Sequence, residues 1–153
     1  MLDDERVAVE LVCDGYHVHP VVMRAAIRAK RPERVMAITD GLAGAGLAEG
    51  ARFEVDGRAV TVRAQACFLD DGTLAGSRLT MDRVFANLVE MVGVTPVDAA
   101  MMTATVQART LGLADRGRIA EGLLADLVVL DAEWCVRQTL IGGAVVYAND
   151  ASS

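Results

Sequence analysis

The chain has 153 residues, with 15 basic and 21 acidic side chains and a formal charge of −6. That length predicts about one domain and excludes a complete (β/α)8 barrel, which needs roughly 250 residues. Hydrophobic residues make up 53% of the chain, enough for a real core and too many for a disordered one. The acidic balance argues against a nucleic-acid partner, for which a basic patch would supply most of the affinity. No apolar run reaches the ~18–20 residues that span a bilayer, and no secretory pattern opens the chain. Cys13, Cys67 and Cys135 are far apart with no CxxC pair, which predicts reduced thiols in a cytoplasmic protein.

Val7–Cys13 reads as a buried strand with one polar interruption. The polar patch Asp14-Gly15-Tyr16-His17-Val18-His19 follows, and Pro20 opens a helix running to Lys30 and closed by Pro32. Val35–Ile38 is a second buried strand that ends at Thr39-Asp40, so residues 7–40 predict a βαβ unit with a parallel pair. Gly41–Gly50 reads as a flexible glycine-rich loop. Its Gly44-Ala45-Gly46 fails as a dinucleotide fingerprint, because the third glycine position holds Glu49. Short strands are expected at Arg52–Val55, Ala59–Arg63 and Ala66–Leu69, with turns at Asp56-Gly57 and Asp71-Gly72. The run Gly72–Ser77 reads as a connector whose amides could bind an anion or a sugar hydroxyl.

Met81–Val92 has helical spacing and stops at Gly93. A second helix starts with Thr95 as cap, Pro96 and Asp98, and runs to about Thr105; a third covers Gln107–Leu111. The closing strands are Asp126–Leu130, Arg137–Ile141 and Ala144–Tyr147, followed by a loose tail at Asn149–Ser153. This mixture resembles two partial domains rather than one.

His17 and His19 lie two apart just after a strand. On an extended backbone both imidazoles would face the same way, and Asp40 ends the neighbouring strand. Carboxyl ends of strands are where α/β folds bind ligands. Two imidazoles and a carboxylate suit zinc or ferrous iron, which gives a small metalloprotein as one reading. The bland reading is that one histidine caps the following helix and the other hydrogen-bonds locally.

Four motifs carry a resemblance. Asp14-Gly15-Tyr16-His17-Val18-His19-Pro20, Thr39-Asp40, Asp71-Gly72-Thr73-Leu74-Ala75-Gly76-Ser77 and Leu79-Thr80-Met81, in that order, are similar to the C-terminal part of the N-acetylglucosamine-6-phosphate deacetylase family. The run Gly117–Leu127 resembles the tail shared across the amidohydrolase superfamily. The resemblance implies an α/β fold: the C-terminal part of a metal-dependent (β/α)8 barrel plus the C-terminal strands of a small β-sandwich. On that plan residues 1–50 hold the last two β/α units of the barrel, 51–78 a β-hairpin segment of the small domain or an insert, 79–113 the closing helices of the barrel, and 114–153 the sandwich strands and tail.

The resemblance further implies hydrolysis of N-acetylglucosamine-6-phosphate to glucosamine-6-phosphate and acetate, with Asp40 as general base and then general acid. Asp14, Gly15, Tyr16, His17, Leu74, Ala75 and Gly76 would bind the sugar phosphate, with His17 polarising the acetamide carbonyl or holding the sugar. A divalent metal, zinc or iron, is implied for the complete enzyme. Its ligands, and the residues that grip the phosphate, would lie upstream of this chain, leaving His19 as a weak candidate ligand here. Thr105-Val106-Gln107-Ala108 departs from the family's usual Asn-Pro-Ala. An exposed barrel edge would drive self-association. The competing reading is a catalytically incomplete binding or interaction module, or half of a split enzyme.

Overall fold

A computed structural model describes residues 2–64 and 66–149; Met1, Gln65 and most of the tail expected at 149–153 fall outside the described residues. Strand β1 (Val9–Val12) and strand β2 (Val35–Ile38) pair in parallel, Val9 opposite Val35 and Val12 opposite Ile38. Helix α1 (Pro20–Lys30) connects them. β1 is shorter than the apolar run Val7–Cys13. At its start, Lys30 Nζ takes the carbonyls of Asp4 (2.5 Å) and Val7 (2.8 Å), and at its end the chain turns at Asp14. α1 begins on Pro20, where a missing N–H costs nothing, and ends at Arg31, which has φ +61° and precedes Pro32.

Strands β3 (Arg52–Val55), β4 (Arg58–Arg63), β5 (Ala66–Leu69) and β6 (Leu74–Ser77) form an antiparallel meander. Asp56 and Gly57 both have positive φ, as the two-residue hairpin turn between β3 and β4 requires. β6 corrects the connector expected at Gly72–Ser77: its residues pair with β5 across a bulge at Cys67–Phe68. The loop before β3 is packed as well. A Cβ on Gly44 would sit 2.5 Å from the Phe53 ring, so this glycine serves close approach rather than flexibility.

Helix α2 (Met81–Asn87) ends in a π turn at 88–92 and stops at Gly93. Helix α3 (Pro96–Ala100) starts where Thr95 Oγ1 accepts from Asp98 N at 3.1 Å. It continues through a π turn at 101–105 into α4 (Val106–Thr110), where separate helices were expected. No glycine or proline interrupts residues 97–110, so nothing in the chain breaks the helix. Strands β7 (Leu127–Leu130), β8 (Val136–Ile141) and β9 (Ala144–Ala148) close the chain as a second antiparallel sheet.

The two cores differ in kind. Leu11, Cys13, Met23, Ile27, Val35, Ala37, Val84, Leu88 and Met102 pack β1 and β2 between the helices, and Val60, Val62, Cys67 and Leu69 line the meander. In β7–β9 no residue is buried. Among the described residues no helix is long and apolar enough to cross a membrane.

Candidate active site

The site forms where β1 and β2 end side by side. Asp14 follows Cys13 just past the end of β1, and its Oδ1 accepts the N–H groups of Tyr16 and His17, each at 2.9 Å. This side-chain turn curls the backbone, which explains why the extended geometry expected for His17 and His19 is absent. His17 folds back so that Nδ1 lies 2.5 Å from Asp14 Oδ2, and its Nε2 lies 4.0 Å from Asp40 Oδ2. His19 goes elsewhere: it is the N-cap of α1, with Nδ1 accepting Val21 N at 3.3 Å.

Burial grades across the three groups. The side chain of Asp14 is 2% exposed, that of His17 16%, and that of Asp40 50%. A buried, hydrogen-bonded carboxylate therefore backs the imidazole, and a solvent-accessible one lies near its other nitrogen. Cys13 lies fully buried beneath them, its thiol pushed up to about 12 by burial and by the adjacent Asp14 carboxylate. Asn87 Nδ2 donates to Cys13 O at 2.8 Å, and Gln107 Nε2 donates to Ala37 O at 2.9 Å, so α2 and α4 hold the two strands close to their ends.

Asp40 sits in a left-handed conformation, φ +50°, which costs free energy and persists only where neighbours enforce it. The enforcement comes from β6. Ser77 N donates to Asp40 O at 2.9 Å, Leu42 N to Ser77 O at 3.2 Å, and Ser77 Oγ to Thr39 O. Ser77 Oγ also accepts Leu79 N at 3.0 Å. A Cβ on Gly76 would lie 3.0 Å from Asp40 O and 2.8 Å from Leu42 Cγ. Ser77 closes one of the quoted motifs, but the sequence assigned its hydroxyl no role. Its contact with Thr39 spans 38 positions and leaves no local signal.

Of the remaining sugar-site candidates, Gly15 forms the Asp14 turn with φ +75°, and Tyr16 is half exposed. The Tyr16 ring meets His17 and Phe68 edge-on, with centroids 6.2 and 6.1 Å away. Leu74 is exposed, and Ala75 packs toward the meander core. A cleft of about 690 Å³ adjoins the turn, lined by Asp14, Gly15, Arg78, Thr80, Asn87 and Met91 among others. Neither His17 nor Asp40 lines it, so the chemistry and this cleft are neighbours rather than one place.

A metal needs donors that converge. His19 Nδ1 is used in the cap and His17 Nδ1 on Asp14, which leaves His17 Nε2 and the Asp40 carboxylate facing one space. Among the described residues no group of three or more His, Cys, Asp or Glu could hold a metal ion. The donor set does not fit a resident metal by itself.

The carboxyl ends of adjacent parallel strands are where α/β folds bind ligands, and the chain belongs to the Amidohydrolase family, which it matches over residues 7–146. Within it, the similarity runs to amino-sugar-phosphate deacetylases. The chain is 36% identical to N-acetylglucosamine-6-phosphate deacetylase of Bacillus subtilis over 139 residues, 90% of this chain and 35% of the relative. It is 37% identical over 143 residues to a putative N-acetylgalactosamine-6-phosphate deacetylase of Escherichia coli K12, covering 93% of this chain and 84% of that one. The crystal structure of the Thermotoga maritima N-acetylglucosamine-6-phosphate deacetylase superposes with a TM-score of 0.90 at 34% identity, over 97% of this chain and 40% of that one. The chain thus spans a little over a third of the Bacillus and Thermotoga proteins.

Proposed function

We propose that this chain carries the proton-transfer and sugar-orienting part of an amino-sugar-6-phosphate deacetylase, acting on N-acetylglucosamine-6-phosphate to give glucosamine-6-phosphate and acetate. One observation carries the reading: the half-exposed Asp40 carboxylate held 4.0 Å from an imidazole that is itself anchored to a buried carboxylate. Asp40 takes a proton from the attacking water as the C–O bond forms. It returns that proton to the nitrogen as the amide C–N bond breaks, so one carboxylate serves both halves of the reaction. His17 orients the reacting group, and Tyr16, Leu74 and the backbone at Gly15 and Gly76 shape the sugar side of the pocket.

On this reading β1, α1 and β2 are the last two strand units of a (β/α)8 barrel, α2–α4 its closing helices, and β7–β9 part of a small sandwich domain. The metal on which amidohydrolases generally depend would be held by barrel residues outside this set, so turnover needs that remainder of the barrel. A second reading, a non-catalytic binding or interaction module, draws on the same incomplete donor set and on the uncovered β7–β9 sheet.

Acetate release separates the two. The purified chain is assayed with zinc, alone and supplemented with the portion of the Bacillus relative that it does not match, using both N-acetylglucosamine-6-phosphate and N-acetylgalactosamine-6-phosphate. The expected result is release only in the supplemented mixture, favouring the glucosamine substrate, and falling about 10²–10⁴-fold in Asp40→Asn. No release in either mixture, or release that Asp40→Asn leaves untouched, overturns the proposal.

A further inference from the structure

We infer that Asp14 is a positioning residue that fixes the His17 imidazole in one tautomer, with the proton on Nδ1, so that the edge presented beside Asp40 is a hydrogen-bond acceptor. This rests on the proposed function for its purpose but not for its test. A carboxylate only accepts, so the 2.5 Å contact between His17 Nδ1 and Asp14 Oδ2 requires the proton on Nδ1. The other oxygen, Oδ1, is occupied by the N–H groups of Tyr16 and His17. With its side chain 2% exposed and three donors from its own loop already on it, the Asp14 carboxylate is committed to the turn and to His17. Its work is done through His17.

The consequence is chemical. In the neutral ring Nε2 carries a lone pair, and Asp40 Oδ2 stands 4.0 Å from it, too far for a hydrogen bond between the two. Two acceptors side by side are complementary to a group bearing two polar hydrogens, such as water or the amine released from an amide. They are not complementary to a carbonyl oxygen. The geometry therefore assigns His17 to an O–H or N–H donor rather than to polarising the acetamide carbonyl.

The Asp14 turn also supplies the test. In Asp14→Asn the two backbone N–H groups hold the amide oxygen in the place of Oδ1, which turns the NH₂ toward His17 Nδ1. That nitrogen must then accept, and the ring proton moves to Nε2. Long-range ¹H–¹⁵N correlation on the labelled chain reads the tautomer directly, with His19→Gln assigning the His17 signals. The expected result is a single Nδ1–H tautomer in the parent and an Nε2–H tautomer in Asp14→Asn, at unchanged backbone shifts outside residues 13–19. A parent ring protonated only on Nε2 or on both nitrogens, or a tautomer indifferent to Asp14→Asn, overturns the inference. Because the spectrum needs no turnover, a chain without acetate release but with the inverted tautomer would defeat the proposed function and leave this assignment standing.

Discussion

Ser77→Ala is the most searching perturbation of the Asp40 turn. Ser77 is fully buried, and its hydroxyl bridges two main-chain groups that nothing else satisfies in the same way: Thr39 O, to which it donates, and Leu79 N, which it accepts at 3.0 Å. Removing the oxygen keeps the strand pairing of Ser77 N and O but leaves that carbonyl and that N–H without their partner. An orphaned buried group costs about 1–3 kcal/mol; Thr39 and Leu79 are only half buried, so water offsets part of this and the pair should cost ~2 kcal/mol. Urea unfolding can be followed by the fluorescence of Trp134, the single tryptophan, whose ring lies 5.4 Å from Phe85 on α2. With a slope of about 2 kcal/mol/M, the midpoint should fall by roughly 1 M at unchanged slope. Amide exchange at Leu79, whose N–H loses its acceptor, should accelerate beyond the global change, whereas Leu42, which keeps its bond to Ser77 O, should follow the global change. A midpoint equal to the parent's would refute the reasoning, because it would mean that the hydroxyl contributes nothing to holding Asp40 in its left-handed conformation.

Three further outcomes follow from the same geometry. Gly76→Ala places a Cβ 3.0 Å from Asp40 O at φ +158°, so it should destabilise by about 1–3 kcal/mol and lower acetate release in the supplemented assay more than Ser77→Ala does; equal stability by urea titration would contradict it. His19→Ala removes a long 3.3 Å cap bond at an exposed helix end, so the loss should be small, about 0.5 kcal/mol, and zinc-supported activity in the supplemented mixture should survive. Loss of that activity would restore His19 as a ligand. The Cys13 thiol, near 9.0 when unfolded and about 12 when folded, lets the unfolded chain release a proton that the native chain keeps. Stability should therefore be level below pH 9 and fall above it by up to about 1.4 kcal/mol per pH unit, with Cys13→Ala removing that share of the slope in urea titrations at pH 7–10.5.

The parts of the fold that were legible in the sequence are those whose signals are local. Pro20, Pro32 and the apolar runs around them mark β1, α1 and β2 within a few residues, because caps, breakers and burial act along the chain. Thr95 and Pro96 do the same for α3. β6 was illegible for the opposite reason. Leu74-Ala75-Gly76-Ser77 has almost no strand propensity, and its extended state comes from pairing with β5 on one side and from the bridge to Gly41 on the other. The separate helix expected at 107–111 is instead the end of a continuous helical run, because no breaker stands between it and α3.

The site divides along the same line. His17 and Asp40 could be placed together from the parallel pair alone, since residues leaving adjacent strands at one end are neighbours. The idea that His17 and His19 share a face assumed an extended chain, although Asp14-Gly15 is itself a turn signal that argues for a bend. What could not be read was the orientation of each group: which oxygen of Asp14 faces the ring, and which hydroxyl holds the Asp40 turn. Those depend on contacts between residues 39 and 77 and on a backbone angle at Asp40 that no residue-by-residue pattern encodes.

Packing and chemistry point to the same shortfall. Among the described residues β1 and β2 each have one hydrogen-bonded neighbour, and parallel strands are normally covered on both faces and flanked on both sides. β7–β9 present Val128, Val145, Val146 and Tyr147 at 49–57% exposure, on strands that alternate their side chains between two faces, so neither face of that sheet is dry. The reactive edge between His17 and Asp40 likewise has two donors where a catalytic metal needs at least three protein ligands. If these were unrelated defects, a surface that satisfied the sheets would have no reason to complete the site. In a barrel the two coincide: the strands that would flank β1 and β2 end at the same rim as Asp14 and Asp40, and so bring their side chains to the same opening. The proposed function therefore ties stability to activity. The surface that covers the open strands should be the one that supplies the missing ligands, and the chain should gain both together or neither.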